Sequence, residues 1–140
     1  MSKVSTVKVG DALPPFTIES VSPDAMRDWS VFLADPNPIH LDVEVVKAKG
    51  LGDKEINQGP TNVAYIINML HNNFPGAVIE SLDSRFLDNV YADDSAEAFG
   101  AVTEVVANGD RVRVTCDIGL RVASRGDVIS GTAVVLAPAN

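Results

Sequence analysis

Cysteine, histidine and tryptophan are scarce in this chain of 140 residues: one, two and one. A lone Cys116 excludes an internal disulfide framework. It lies in the alternating stretch Val112 to Ile118, where a packed structural thiol is the expected reading and a nucleophile is not. The two histidines, His40 and His71, have no ligand spacing, so no metal and no other cofactor is expected. Basic side chains are also few, 11 Lys and Arg against 19 Asp and Glu, a net charge of −8. That balance argues against nucleic acid, which needs clustered cations, and against an anionic membrane surface. Lys47, Lys49, Lys54, Arg85, Arg121 and Arg125 read as solvated surface, although a few local cations or a helix N-terminus suffice for a phosphate-bearing small ligand. No apolar run reaches the roughly 18 residues of a membrane-spanning helix. The N-terminus lacks the charged-then-apolar pattern of a secretory signal. The expectation is a soluble, cytoplasmic protein of one domain, 1–140, whose 46% hydrophobic content supports a real core.

Phe32 to His40 is the most informative stretch. It places Asp35, Asn37 and His40 within six residues, separated by Pro36 and Pro38. Both prolines lack an N–H and disfavour α conformation in the residue before them, which predicts a stiff, irregular loop. A carboxylate and an imidazole held at fixed separation can move protons to and from water near neutral pH.

The surrounding pattern predicts a strand over 16–21, then a helix with Ser22 as N-cap and Pro23 at its first position. Met26, Trp29, Phe32 and Leu33 form a core-facing stripe on that helix, which should end near Asp35. Asp42 caps a short helix through Lys49, closed by Gly50. Gly59-Pro60-Thr61 opens a helix that runs to Asn73 and is apolar around most of its circumference, hence buried. His71, at its polar end, reads as a last-turn partner of helix carbonyls. The rest is strand-like: 77–91, then 96–107, a hairpin turn at Asn108-Gly109, 111–123, and 128–136 after Ser124-Arg125-Gly126-Asp127. This order predicts an α+β fold in which a curled antiparallel sheet wraps one long central helix.

Asp35-Pro36-Asn37-Pro38-Ile39-His40 resembles the Asp-x-Asn-Pro-(Leu/Ile)-His motif of the MaoC-like dehydratases, specifically the (R)-specific enoyl-CoA hydratases. Phe32 upstream and Ala48 downstream fit it, as does Ser81 to Asp94 against the family's Phe-x-x-Pro-Val-x-x-Gly-Asp strand and turn. Three departures stand out: Ala34 where the family prefers Gly, a longer spacing from His40 to Ala48, and Gln58 in place of a His before Gly59. The first reads as a minor steric change. The resemblance implies a hot-dog fold, a homodimer (with heterodimers known in the family) and an acyl-CoA thioester as substrate.

It also implies the chemistry. Water adds to a trans-2-enoyl thioester, or leaves a 3-hydroxyacyl thioester, with Asp35 and His40 as the catalytic pair. The Gly59 N–H faces the thioester oxygen, Gln58 lies close to the substrate carbonyl, and Asn37 braces the loop. Trp29, Tyr65 and Met69 are candidates for lining the acyl pocket, though each also reads as core. Two other readings remain. An acyl-CoA thioesterase would place a carboxylate on the central helix, and residues 61–73 contain none. A non-catalytic or partner-dependent binding subunit is suggested by Gln58 and opposed by the retention of Asp35 and His40.

Overall fold

A computed structural model describes residues 7–139. The elements run β1 (Ala12–Ile18), α1 (Pro23–Phe32), a 3-10 turn (Pro38–His40), α2 (Val43–Ala48), α3 (Gly59–Asn73), β2 (Val78–Phe86), β3 (Ala96–Asn108), β4 (Arg111–Val122) and β5 (Gly126–Pro138). The strands form one antiparallel sheet in the order β1-β3-β4-β5-β2. β3, β4 and β5 are a meander joined by tight turns, with Gly109 and Gly126 at positive φ. β2 does not join its sequence neighbour β3. It closes the far edge by pairing with β5.

The inward rows of β3, β4 and β5 supply the core: Ala96, Ala98 and Val102, then Val114, Cys116, Ile118 and Leu120, then Ala133, Val135 and Ala137. Many are alanines, which lets α3 lie close against the sheet, and its Ile66, Met69 and Leu70 are fully enclosed. Register shifts in the β1–β3, β2–β5, β3–β4 and β4–β5 pairings add local twist, as bulges do, and help curl the sheet over α3. The architecture is an α+β hot-dog fold.

Three expectations need correction. β1 begins at Ala12, upstream of 16, and runs through Pro14 and Pro15. Two prolines are tolerated because β1 is an edge strand with a bulge between Leu13 and Phe16. The stripe on α1 is only partly a core face: Met26 is buried, Trp29 is half-exposed, and Phe32 is 80% exposed. α1 lies beside the fold and presents only one narrow edge to it. Finally, α3 is less enclosed than its composition suggests, with Val63, Ala64 and Ile67 half-exposed in the single chain. His71 is exposed in the last turn of α3. Cys116 is enclosed in the core, and burial pushes its thiol up to about 11, so it is a packing residue.

No helix among the described residues is long and apolar enough to cross a membrane. Among the glycines of the sheet, the tightest approach is at Gly131, opposite Ser84 of β2. A Cβ there would stand 1.9 Å from the Asp83 carbonyl oxygen. Gly131→Ala should therefore cost about 2–3 kcal/mol of unfolding free energy, the scale of overpacking in a well-packed interior. Urea denaturation checks this, and an unchanged midpoint contradicts it.

Candidate active site

The site starts at the end of α1. Ala34 N–H donates to the Val31 carbonyl at 3.2 Å and Asp35 N–H to the Ser30 carbonyl at 2.9 Å. These two bonds, with Ala34 at φ 52°, make a Schellman termination in which alanine holds the left-handed position glycine normally takes. The change to alanine is therefore a backbone cost and not only a steric one. Ser30 Oγ also bonds the Asp35 carbonyl, fixing where the chain leaves the helix.

From there the side chains organise the proline-spaced loop. Asp35 Oδ1 accepts the Asn37 N–H at 3.2 Å, and Asn37 Oδ1 accepts the Ile39 N–H at 3.2 Å, capping the single turn that carries His40. Pro36 and Pro38 have no N–H to satisfy, and the Pro38 carbonyl accepts the Leu41 and Asp42 N–H groups at 3.0 and 2.8 Å. The exposed Asn37 carboxamide thus turns back into the loop.

His40 is 7% exposed. Its Nδ1 lies 2.6 Å from the Ile56 carbonyl oxygen, an acceptor only, so Nδ1 carries a proton and donates. Its Nε2 lies 3.3 Å from Asp35 Oδ2. Ile56 is itself stitched in place: its N–H donates to the Ile39 carbonyl at 2.9 Å, and it forms a β-bridge with Tyr91. With Nδ1 committed to a backbone carbonyl, any proton between Nε2 and Oδ2 is the movable one. The two side chains are in contact, with half-buried Asp35 on the outer side.

Next to His40 is a cavity of about 510 Å³. His40, Asn57, Gly59 and Asn62 form one wall, and Phe86 to Asn89 another. Gly59 begins α3, whose N-terminus has no side-chain cap. Pro60 contributes no N–H, and the Asn62 N–H is used by the Gln58 carbonyl at 3.1 Å. The tip of α3 therefore presents the Gly59 N–H with the partial positive charge of a helix N-terminus.

The structure brings Asp35 and His40 together and sets Gly59 on the same cavity as His40. Gln58 is elsewhere. It is fully buried, its Nε2 donates to the Met26 carbonyl at 2.7 Å, and it is not among the residues that line the cavity. It ties α1 to the tip of α3. Trp29 lines a separate groove of about 330 Å³ with Ala25, Asp28 and Phe32, and Met69 is core. Tyr65 lies behind the cavity wall, its oxygen 3.1 Å from Asn57 Nδ2. The sequence reading missed Ile56, Asn57 and Asn62. The one available signal was polar carboxamides at 57, 58 and 62, at the head of an otherwise apolar helix. Among the described residues, no cluster of three or more His, Cys, Asp or Glu is arranged to hold a metal ion.

Comparison with known proteins gives the family and the fold. The sequence profile of the MaoC like domain matches residues 7–123, so the chain belongs to the MaoC-like domain family. Among solved structures, R-hydratase PhaJ1 from Pseudomonas aeruginosa superposes with a TM-score of 0.83 at 21% identity, covering 96% of this chain and 84% of that one. An (R)-hydratase from A. caviae involved in PHA biosynthesis gives 0.83 at 18% identity, covering 95% and 98%. A chain of the ChsH1–ChsH2 complex from Mycobacterium tuberculosis gives 0.78 at 23% identity, covering 94% and 98%. At these identities the superpositions establish the fold. No curated protein sequence matches the chain.

Replacing Ala34 with glycine relieves the left-handed strain without touching the pair. Ala34→Gly should raise unfolding free energy by about 1 kcal/mol, the scale of an L-residue's αL penalty. Denaturant titration checks this, and a loss of stability contradicts it.

Proposed function

We propose that this chain interconverts a trans-2-enoyl thioester and the corresponding (R)-3-hydroxyacyl thioester by adding or removing water, with coenzyme A as the carrier. The observation that carries the reading is the Asp35–His40 pair, 3.3 Å apart, beside a cavity that also receives the uncapped tip of α3. Membership of the MaoC-like domain family and the (R)-hydratase neighbours support it.

In the hydration direction, one water lies beside the pair, within reach of both Asp35 Oδ2 and His40 Nε2, which are 3.3 Å apart. Its oxygen bonds to the β-carbon while the α,β double bond opens. The displaced electron pair moves through the α-carbon to the thioester oxygen, where the Gly59 N–H stabilises the negative charge. The water gives one proton to the pair, and the pair delivers a proton to the α-carbon as the enolate collapses. Enoyl thioester plus water becomes hydroxyacyl thioester, with the acid–base unit restored. Positioned proton transfer of this kind contributes roughly 10²–10⁴-fold. Asn37 holds the loop that separates the two groups, and Gln58 fixes α1 against the tip of α3.

A thioesterase is less well supported, because α3 carries no Asp or Glu to activate water. The ChsH1–ChsH2 neighbour comes from an assembly of two different chains. A homodimer is the assembly proposed here. In a mixed pair, a chain retaining both Asp35 and His40 is the catalytic partner. A cytoplasmic location fits the substrate.

The test is a panel of trans-2-enoyl-CoA thioesters, followed by loss of the conjugated double bond. The wild type should turn over at least one member. Asp35→Asn and His40→Ala, each shown to be folded by circular dichroism, should lower kcat about 10²–10⁴-fold. Release of free thiol in place of water addition identifies a thioesterase, and absence of turnover across the panel overturns the reading.

A further inference from the structure

We infer that the Asn62 carboxamide is a second hydrogen-bond donor to the thioester oxygen, acting beside the Gly59 N–H, with Asn57 and Tyr65 as the residues that aim it. The inference rests on the hydration reading above and adds a substrate-binding group to it.

Asn62 is the fourth residue of α3. Helical side chains lean toward the N-terminus and cover the residue three positions earlier, which here is Gly59. Asn62 is 4% exposed and faces the His40 cavity. Its Oδ1 accepts Asn57 Nδ2 at 2.7 Å. Asn57 cannot swing away, because its backbone N–H donates to the Val90 carbonyl at 2.7 Å and its Nδ2 also reaches Tyr65 Oη at 3.1 Å. The Tyr65 ring stacks on Phe16, and burial pushes the phenol above its ordinary range, so it stays neutral. A buried, doubly anchored Asn57 therefore fixes which end of the Asn62 carboxamide faces which way. The oxygen is committed, and among the described residues no group accepts from Asn62 Nδ2.

Asn62 Nδ2 is not among the buried atoms left without a partner, so it opens onto the cavity, where its hydrogen bonds go to water or to a ligand. Two donors on the wall of a cavity, above a helix tip, call for an acceptor oxygen on the ligand, and an aliphatic segment there would leave them unpaired. The thioester carbonyl oxygen fits. It gains negative charge during the reaction, so its bonds to these donors strengthen in the transition state more than in the bound substrate.

The test compares wild type, Asn62→Leu and Asn62→Asp on the enoyl-CoA the wild type turns over best. Thermal midpoints are recorded for each. Asn62→Leu keeps the size and removes the donors. Asn62→Asp keeps the acceptor for Asn57 and removes the donors, so it reports even if the leucine variant folds poorly. Both should lower kcat about 10²–10³-fold, the usual effect of losing one such donor. KM should stay within about threefold, because the interaction belongs to the transition state. Asn57→Ala, which frees the carboxamide, should lower kcat in the same sense by a smaller factor. Full activity in Asn62→Asp means that the position presents an acceptor, and overturns the inference. So does a loss confined to KM, or one that follows thermal stability alone. An active wild type with an equally active Asn62→Leu removes this donor and leaves the hydration reading intact, whereas an inactive wild type removes both.

Discussion

The hydrogen bond from His40 Nδ1 to the Ile56 carbonyl is the contact on which the site depends. A backbone carbonyl can only accept, so it determines which imidazole nitrogen is left for chemistry. It also sets the ring plane that brings Nε2 to Asp35. Ile56 can serve because the strand-like segment around it is tied on both sides, to Ile39 and to 90–92. One contact thus joins the proline-spaced loop, the approach to α3 and the segment after β2. A backbone partner is also hard to lose by mutation, which makes the arrangement more robust than an orienting side chain.

Around this contact the fold accepts local costs. Ala34 occupies a left-handed position, which gives α1 a sharp end and points Asp35 back toward the imidazole. At the tip of α3, Gln58 Oε1 and Thr61 Oγ1 are buried without partners. Such atoms are rare in folded proteins and gather where a surface is shaped for something other than stability. Gln58 partly compensates by gripping the Met26 carbonyl, so the helix that delivers Asp35 and the helix that begins at Gly59 are held by one amide.

Much of this was legible in the sequence where a local rule has no competitor. Ser22 and Asp42 cap their helices as expected, the Asn108-Gly109 turn joins β3 to β4, and α3 begins at Gly59. What escaped depends on tertiary position. Pro14 and Pro15 suggest a break in a strand, and only the edge placement of β1 makes them acceptable. Spacing alone put Phe32 on a core face, but α1 buries a single edge. Nothing local in 77–91 records that β2 crosses to pair with β5. The same limit applies to the site. Asp35 and His40 are near in sequence and were found together, whereas Ile56 contributes a carbonyl that any residue could supply. Asn57 and Asn62 carry meaning only once α3 is placed beside His40.

The most direct test of the central contact is heteronuclear NMR of the imidazole nitrogens of His40, in the wild type and in Asp35→Asn. If the Ile56 carbonyl sets the ring, the neutral imidazole carries its proton on Nδ1 and leaves Nε2 bare in both proteins. A neutral ring protonated on Nε2, or a tautomer that switches when Asp35 is changed, contradicts the account.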